Sequence, residues 1–238
     1  MVDIKLDDLQ YIADSSGKNE PTLKKFKILM NAIFKYAVIH DIIPPDMNKV
    51  SYLNIKKAGN PDRRDRMPFS TAEIQKLWKH KDANGYCNVI LMLIYTGCRI
   101  SELLALKKED INLQEKWFDI KKSKTAAGVR RVPIADKVLP FFEFWYTLNG
   151  CKYLISTPEG KPFEYRNYYD SYWKPLVEQL NMKHRPHDTR HTCVSLLAAA
   201  GIDERTNKKI VGHAGQGVTE NVYTHYELES LREAINKI

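Results

Sequence analysis

Between residues 56 and 66 the chain reads KKAGNPDRRDR: eleven residues, five of them basic, with a Gly-Asn-Pro break and no large apolar side chain. Such a stretch has the composition of a linker and marks a boundary. A solvated charged loop fits the same residues. The division it makes is unequal. The 55 residues on its N-terminal side carry one clear helix, too little surface for a core of ordinary size. They read as the remnant of a small helical domain, or as a piece docked on the rest. At 238 residues in all, the chain suits one large domain with a smaller companion.

Lysine and arginine number 37 against 29 aspartates and glutamates, so 37 − 29 leaves +8 with histidine neutral. That surplus makes an acidic partner the natural expectation, nucleic acid first, although net charge speaks to association and not to fold. The 43% hydrophobic and 28% charged content is that of a globular chain and excludes the disordered and collagen-like classes. The longest apolar run, Val89–Tyr95, has seven residues where a membrane span needs about twenty. Residues 1–10 mix Asp and Lys among single aliphatics, unlike a signal peptide. Four scattered cysteines (Cys87, Cys98, Cys151, Cys193) without C-x-x-C spacing read as reduced packing residues. The expectation is a soluble, basic, cytoplasmic protein with no membrane contact.

Residues 21–39 carry the cleanest helical pattern. Leu23, Phe26, Leu29, Met30, Ile33, Phe34, Ala37 and Val38 recur at three- and four-residue spacing, with Pro21 in the first turn and Pro44-Pro45 beyond the end. A short helix precedes it near 6–11. After the boundary, Ser70 and Glu73 form a capping-box pattern, and Ile74, Leu77 and Trp78 supply a buried stripe. An apolar helix follows at 87–95, ended by Gly97, and another begins near Ile100. The period then changes. Residues 116–121 and 129–134 alternate or are β-branched around Ala126-Ala127-Gly128, which predicts a β-hairpin. Helices resume at about 136–148, 166–180, 188–199, 203–210 and 219–236, with a short strand at 153–156. The fold class is mainly α with a small antiparallel β-sheet.

Four places carry residues suited to chemistry. In TGCRISEL (96–103) a glycine turns the chain and Arg99 opens the next helix, where anions bind well, with Glu102 able to reach back to the guanidinium. A capped turn with a surface arginine explains the same residues. In the hairpin, Lys121, Lys122, Lys124, Arg130 and Arg131 fall within eleven residues with no acid among them. A ribbon of that kind has the width for a nucleic-acid groove, and lysines also guard edge strands against aggregation. In HDTRHT (187–192), His187, Arg190 and His191 share one side of a helix. A metal site through both histidines and His213 or Cys193 lacks the carboxylate of H-E-x-x-H and would place a guanidinium among cation ligands; a phosphate suits the set better. Last come VGHAG (211–215) and NVYTHY (221–226), where Tyr223 alone is as well read as half-buried core.

Taken together, TGCRISEL, KSKTAAGVRRVPI, HDTRHT, VGHAG and VYTHY resemble, in order and near spacing, the motifs of the tyrosine recombinase family, the integrases of phages and mobile elements. The likeness covers roughly residue 68 to the end, with a looser match over 3–50. Thr189 stands where the family usually has an apolar residue. The resemblance implies a tyrosine recombinase catalytic domain (67–238), a basic linker (56–66) and a partial helical, SAM-like core-binding domain (1–55). The first segment is short for the family, which implies that an arm-type DNA-binding domain is not part of this chain.

The resemblance also implies cleavage and rejoining of DNA attachment sites for integration or excision of a mobile element. Tyr223 would be the nucleophile, giving a 3′-phosphotyrosyl link. Arg99, Arg190 and His213 would meet the charge on the phosphate, Lys124 would protonate the leaving 5′-oxygen, and His187 would take the tyrosine proton. Glu102 would orient Arg99 or His187. Lys56, Lys57, Arg63, Arg64 and Arg66 of the linker, with Lys121, Lys122, Arg130 and Arg131 of the hairpin, would grip the duplex backbone. No metal and no cofactor is implied. The implied partners are double-stranded DNA, three further copies in a homo-tetramer joined through the C-terminal helix, and an accessory DNA-bending or directionality factor. The setting would be a bacterial cytoplasm, at the nucleoid when bound. That helix, with Leu228, Leu231, Ile235 and Ile238 at helical spacing, packs equally well on its own domain. Rival readings are a type IB topoisomerase, a metal-dependent nuclease on His187, His191 and His213, and a non-catalytic DNA-binding regulator.

Overall fold

A computed structural model of the chain describes residues 4–58, 67–123, 128–212 and 225–238. The chain divides into two compact units, Met1–Asp65 and Arg66–Ile238.

The first unit is built on α1 (Leu6–Ser15) and α2 (Glu20–Ile39), followed by short 3-10 turns at Pro45–Met47, Val50–Tyr52 and Lys56–Ala58. The Asn19 side chain caps α2 by accepting from the Thr22 N–H, and Pro21 occupies the first turn, where no N–H is needed. Leu9, Ala13, Leu23, Phe34, Ala37, Ile43, Val50 and Leu53 form the core. Lys27 ties the later turns to α2 by donating to the Ser51 and Leu53 carbonyls, both at 2.7 Å. Leu29 and Ile33, expected on the buried stripe, are 58% and 39% exposed. The elements packed on α2 cover only the arc centred on Leu23, Phe34 and Ala37.

In the second unit α3 (Thr71–Lys79) starts with the expected capping box: the Glu73 N–H donates to Ser70 Oγ, and the Ser70 N–H to Glu73 Oε2. α4 (Gly85–Thr96) is the central helix, buried on every face from Cys87 to Thr96, as expected of a run with no polar stripe. α5 (Ile100–Leu104) leads to a three-stranded antiparallel sheet of β1 (Ile111–Asn112), β2 (Trp117–Ile120) and β3 (Arg130–Pro133), in that order. Phe118 faces Val132, and Ile120 faces Arg130. The two-residue β1 was too short to leave a period in the sequence. The strand expected at 153–156 is absent; isolated bridges join Lys107 to Tyr153 and Ser156 to Pro162 instead.

Next come α6 (Leu139–Thr147), α7 (Tyr165–Tyr168), a π-helical turn at Tyr169–Trp173 and α8 (Lys174–Gln179). Pro175 has no N–H to donate, and the helix widens just ahead of it. α9 (Pro186–Ala199), α10 (Glu204–Val211) and α11 (His225–Ile235) complete the unit. Leu231, Ala234 and Ile235 place α11 in the core of its own unit, so its apolar stripe is used within the chain. Among the described residues no helix is long and apolar enough to cross a membrane. The architecture is mainly helical with one small antiparallel sheet.

Candidate functional site

The site is assembled by one turn. Gly97 ends α4 in the left-handed conformation at φ 62°, its N–H returning to the Leu93 carbonyl. A Cβ here would lie 2.7 Å from Val211 Cγ1 and 2.9 Å from Cys193 Sγ, so both the φ and the space demand glycine. The turn thus draws α4, α9 and α10 together. The Gly97 carbonyl accepts from Arg190 Nη1 at 2.9 Å, and Arg190 Nη2 donates to the Gly212 carbonyl at 3.1 Å. Arg190 is buried without a carboxylate within hydrogen-bond reach among the described residues. Burial pushes its guanidinium down to about 10, and the charges of Arg130 and Arg99 push the same way.

Arg99 stands at the N-cap of α5. Glu102 takes the Arg99 N–H at 2.9 Å through Oε2 and the Arg99 Nη1 at 2.6 Å through Oε1. Glu102, expected to orient Arg99 or His187, holds Arg99 through both its N–H and its guanidinium. Ser123 Oγ donates to the same Oε1 at 2.8 Å. Burial alone would raise the Glu102 carboxyl. The nearby charge of Arg130 and the hydrogen bonds from Arg99 and Ser123 outweigh it and hold the group below the usual carboxylate value.

Arg130, expected to grip DNA from the hairpin, is instead inside. Its side chain is 1% exposed, and that of Glu102 3%. Arg130 Nε donates to the Ile210 carbonyl at 2.8 Å, and Nη1 to Gly128 O at 2.9 Å and Glu102 Oε2 at 3.3 Å. The physical reason is parity. Arg130 shares its side of the sheet with Val132, which is fully buried. Arg131, one residue on, faces outward, stacks 3.6 Å over the Trp117 ring and makes a bidentate pair with Asp119 at 2.8 and 3.0 Å. Lys121 pairs with Asp110. Lys122 and Lys56 are exposed. Arg63, Arg64, Arg66, Lys124, His213 and Tyr223 lie outside the described residues, as does the side chain of Lys57.

His187 sits exposed in the first turn of α9, its ring edge-on to His191 at 4.9 Å between centroids. Behind it lies a polar knot that sequence reasoning missed. His184 bonds Glu73 Oε1 through Nε2 at 3.1 Å and Asp188 Oδ2 through Nδ1 at 3.4 Å, and stacks on Phe69 at 3.8 Å. Asp188 also accepts the Arg185 N–H at 2.8 Å and so caps α9. Thr192 Oγ1 takes the Phe69 N–H and donates to the Asp188 carbonyl, both at 2.8 Å. The knot fixes the start of α9, and with it His187 and Arg190. Thr189, polar where an apolar residue was expected, is fully buried with its hydroxyl on the Pro186 carbonyl at 2.7 Å, which satisfies it locally.

Within the arginine cluster two buried donors are left over: Arg130 Nη2 and Arg190 Nε have no hydrogen-bond partner among the described residues. Three guanidiniums around one carboxylate leave the cluster positive, with N–H groups not consumed internally, and this is the chemistry of an anion site. Cys98 and Cys193 beside it are inert thiols, pushed up by burial to about 11 and about 12. Among the described residues no group of three or more His, Cys, Asp or Glu side chains is arranged to hold a metal ion.

Comparison with known proteins places this arrangement. The XerC-like tyrosine recombinase of Caldanaerobacter subterraneus subsp. tengcongensis is 24% identical over 88% of this chain, and the match covers 63% of that relative, so the chain spans under two thirds of its length. In three dimensions it is similar to the Tn1549 transposon integrase in complex with circular intermediate DNA, with a TM-score of 0.76 at 22% identity, covering 96% of this chain and 84% of that one. The lambda integrase tetramer bound to a Holliday junction superposes with a TM-score of 0.71 at 16% identity, covering 94% and 68%. The model of the phage integrase family matches residues 69–229, the stretch that holds the turn, the sheet and the arginine cluster. The chain therefore belongs to the phage integrase family, the tyrosine recombinases.

Proposed function

We propose that the chain is a site-specific DNA recombinase that cuts and rejoins duplex DNA through a 3′-phosphotyrosyl intermediate, for integration or excision of a mobile element. The observation that carries this reading is the convergence of Arg99 and Arg190 through the Gly97 turn, with their donors fixed by Glu102 and by two backbone carbonyls. Rigid guanidiniums in a desolvated setting are what a phosphate gaining charge in its transition state requires.

Tyr223 forms the bond to phosphorus as the 5′-oxygen leaves. Arg99 and Arg190 hold the non-bridging oxygens, with His213 as an added donor. His187 takes the tyrosine proton, and Lys124 gives one to the 5′-oxygen. The phosphotyrosine conserves the bond energy, so rejoining needs no nucleotide. The partner is double-stranded DNA, with three further copies in a tetramer on two duplexes and an accessory DNA-bending or directionality factor. Because Leu231 and Ile235 are buried in their own unit, joining subunits through α11 requires its outer face or its release. Residues 1–55 serve as a partial core-binding domain and 56–66 as the basic linker. Lys56, Lys57, Arg63, Arg64, Arg66 and Lys122 are proposed backbone contacts.

A nicked attachment-site duplex incubated with EDTA tests the reading. The expected result is a covalent protein–DNA adduct that survives denaturation and is absent in Tyr223→Phe. Binding without an adduct at a correct site supports a regulator instead, and loss of activity with chelator supports a metal nuclease.

A further inference from the structure

The Arg130 guanidinium is buried, so it is not placed to meet a duplex backbone, and its three hydrogen bonds reach into two other parts of the unit. One is the carboxylate that holds Arg99. The other is the Ile210 carbonyl in the last turn of α10, two residues before Gly212, whose carbonyl holds Arg190. Arg130 therefore stands between the anchors of the two clamp arginines. Glu102 distributes its oxygens accordingly: Oε1 serves Arg99 Nη1 and Ser123, and Oε2 serves the Arg99 N–H and Arg130. Without a cation beside Oε2, the carboxylate loses one of the four hydrogen bonds that fix it and holds the Arg99 guanidinium less firmly.

We propose that Arg130 is a positioning residue for the phosphate clamp, locking Glu102 and the end of α10 in one geometry so that Arg99 and Arg190 meet the scissile phosphate together. The inference rests on the clamp reading of Arg99 and Arg190 given above. Arg130 itself touches neither DNA nor the reacting atoms. Lysine is no substitute, since one ammonium cannot present the planar fork that reaches Ile210, Gly128 and Glu102 at once.

The test uses nicked duplexes with one cleavage site and two scissile groups. One is the ordinary phosphodiester. The other is a methylphosphonate, in which a methyl group replaces one non-bridging oxygen and the negative charge is gone. Arg130→Lys is expected to lose cleavage of the phosphodiester by about 10²-fold, the effect of a small misplacement of reacting groups. Duplex affinity and its salt dependence should stay those of the unaltered chain. On the methylphosphonate the loss should shrink at least about tenfold, because a neutral group needs less of the clamp. Arg99→Ala, measured alongside, should show the same contraction. If Arg99→Ala contracts and Arg130→Lys loses equally on both substrates, or loses nothing, the role given to Arg130 is wrong. If Arg99→Ala does not contract either, the clamp reading falls with it. Should melting show Arg130→Lys unfolded, Arg130→Gln, which buries no lone charge, carries the same comparison.

Discussion

The two faces of the small sheet use one residue type in opposite ways. On the inner face Arg130 is stripped of water and shares the buried Glu102 with Arg99. On the outer face Arg131 lies flat on Trp117 and is answered in full by Asp119. A partly exposed surface pair of the second kind contributes about 0–1 kcal/mol, whereas breaking a buried pair by removing one partner costs about 3–5 kcal/mol. Adjacent residues of equal charge therefore differ by what surrounds them. Arg131 is neutralised where it stands, whereas Arg130 keeps one guanidinium donor unbonded among the described residues.

The largest effect that would sharpen this contrast is expected from Glu102→Gln. It leaves Arg130 buried without its carboxylate, and denaturant unfolding should show a loss of about 3–5 kcal/mol. The sign with pH follows from a carboxyl held below its usual value: the stabilisation is complete above the unfolded value of 4.5 and is lost as pH falls below it. The glutamine variant should accordingly have the flatter acid limb; equal limbs would contradict the coupling. Next, Arg190→Ala should slow adduct formation by about 10²–10³-fold. Duplex affinity, spread over many phosphate contacts, should change little in a filter or gel-shift titration. A matching loss of affinity would make Arg190 a mere binding contact. Gly97→Ala, which meets both a left-handed φ and a 2.7 Å approach to Val211, should destabilise by about 1–3 kcal/mol in thermal melting. At the small end, Arg131→Ala should change stability by no more than about 1 kcal/mol. If it cost as much as Glu102→Gln, inner and outer faces would not differ as described.

Much of this was legible in the sequence, for reasons that differ by residue. The Ser70–Glu73 box, the Gly97 stop and the all-apolar α4 are local or uniform signals, and local signals survive into the fold. Arg99 and Arg190 stand out through their motifs, and Glu102 through its spacing. Charge summed along the chain groups Arg130 with the exposed hairpin cations. The period-two alternation through Val132 and Ile134 puts it inside. The His184 knot could not be found in this way, since its partners Glu73 and Phe69 come from more than a hundred residues away. Leu29 and Ile33 of α2 show the converse limit. Spacing reveals that a helix has an apolar arc, and only packing decides how much of the arc is covered.

The carbonyls that hold Arg190 carry one more consequence. They belong to residues 93 positions before it and 22 after it. Contacts of long sequence separation close late, because the entropy of joining distant segments must be met before the contact rewards it. A half-assembled chain keeps the attraction of any polycation for an anion, but it has no ordered pair of arginines with which to hold one. Under the function proposed above, the ordered arginine pair, and with it any competence to break a strand, arrives only with the completed fold.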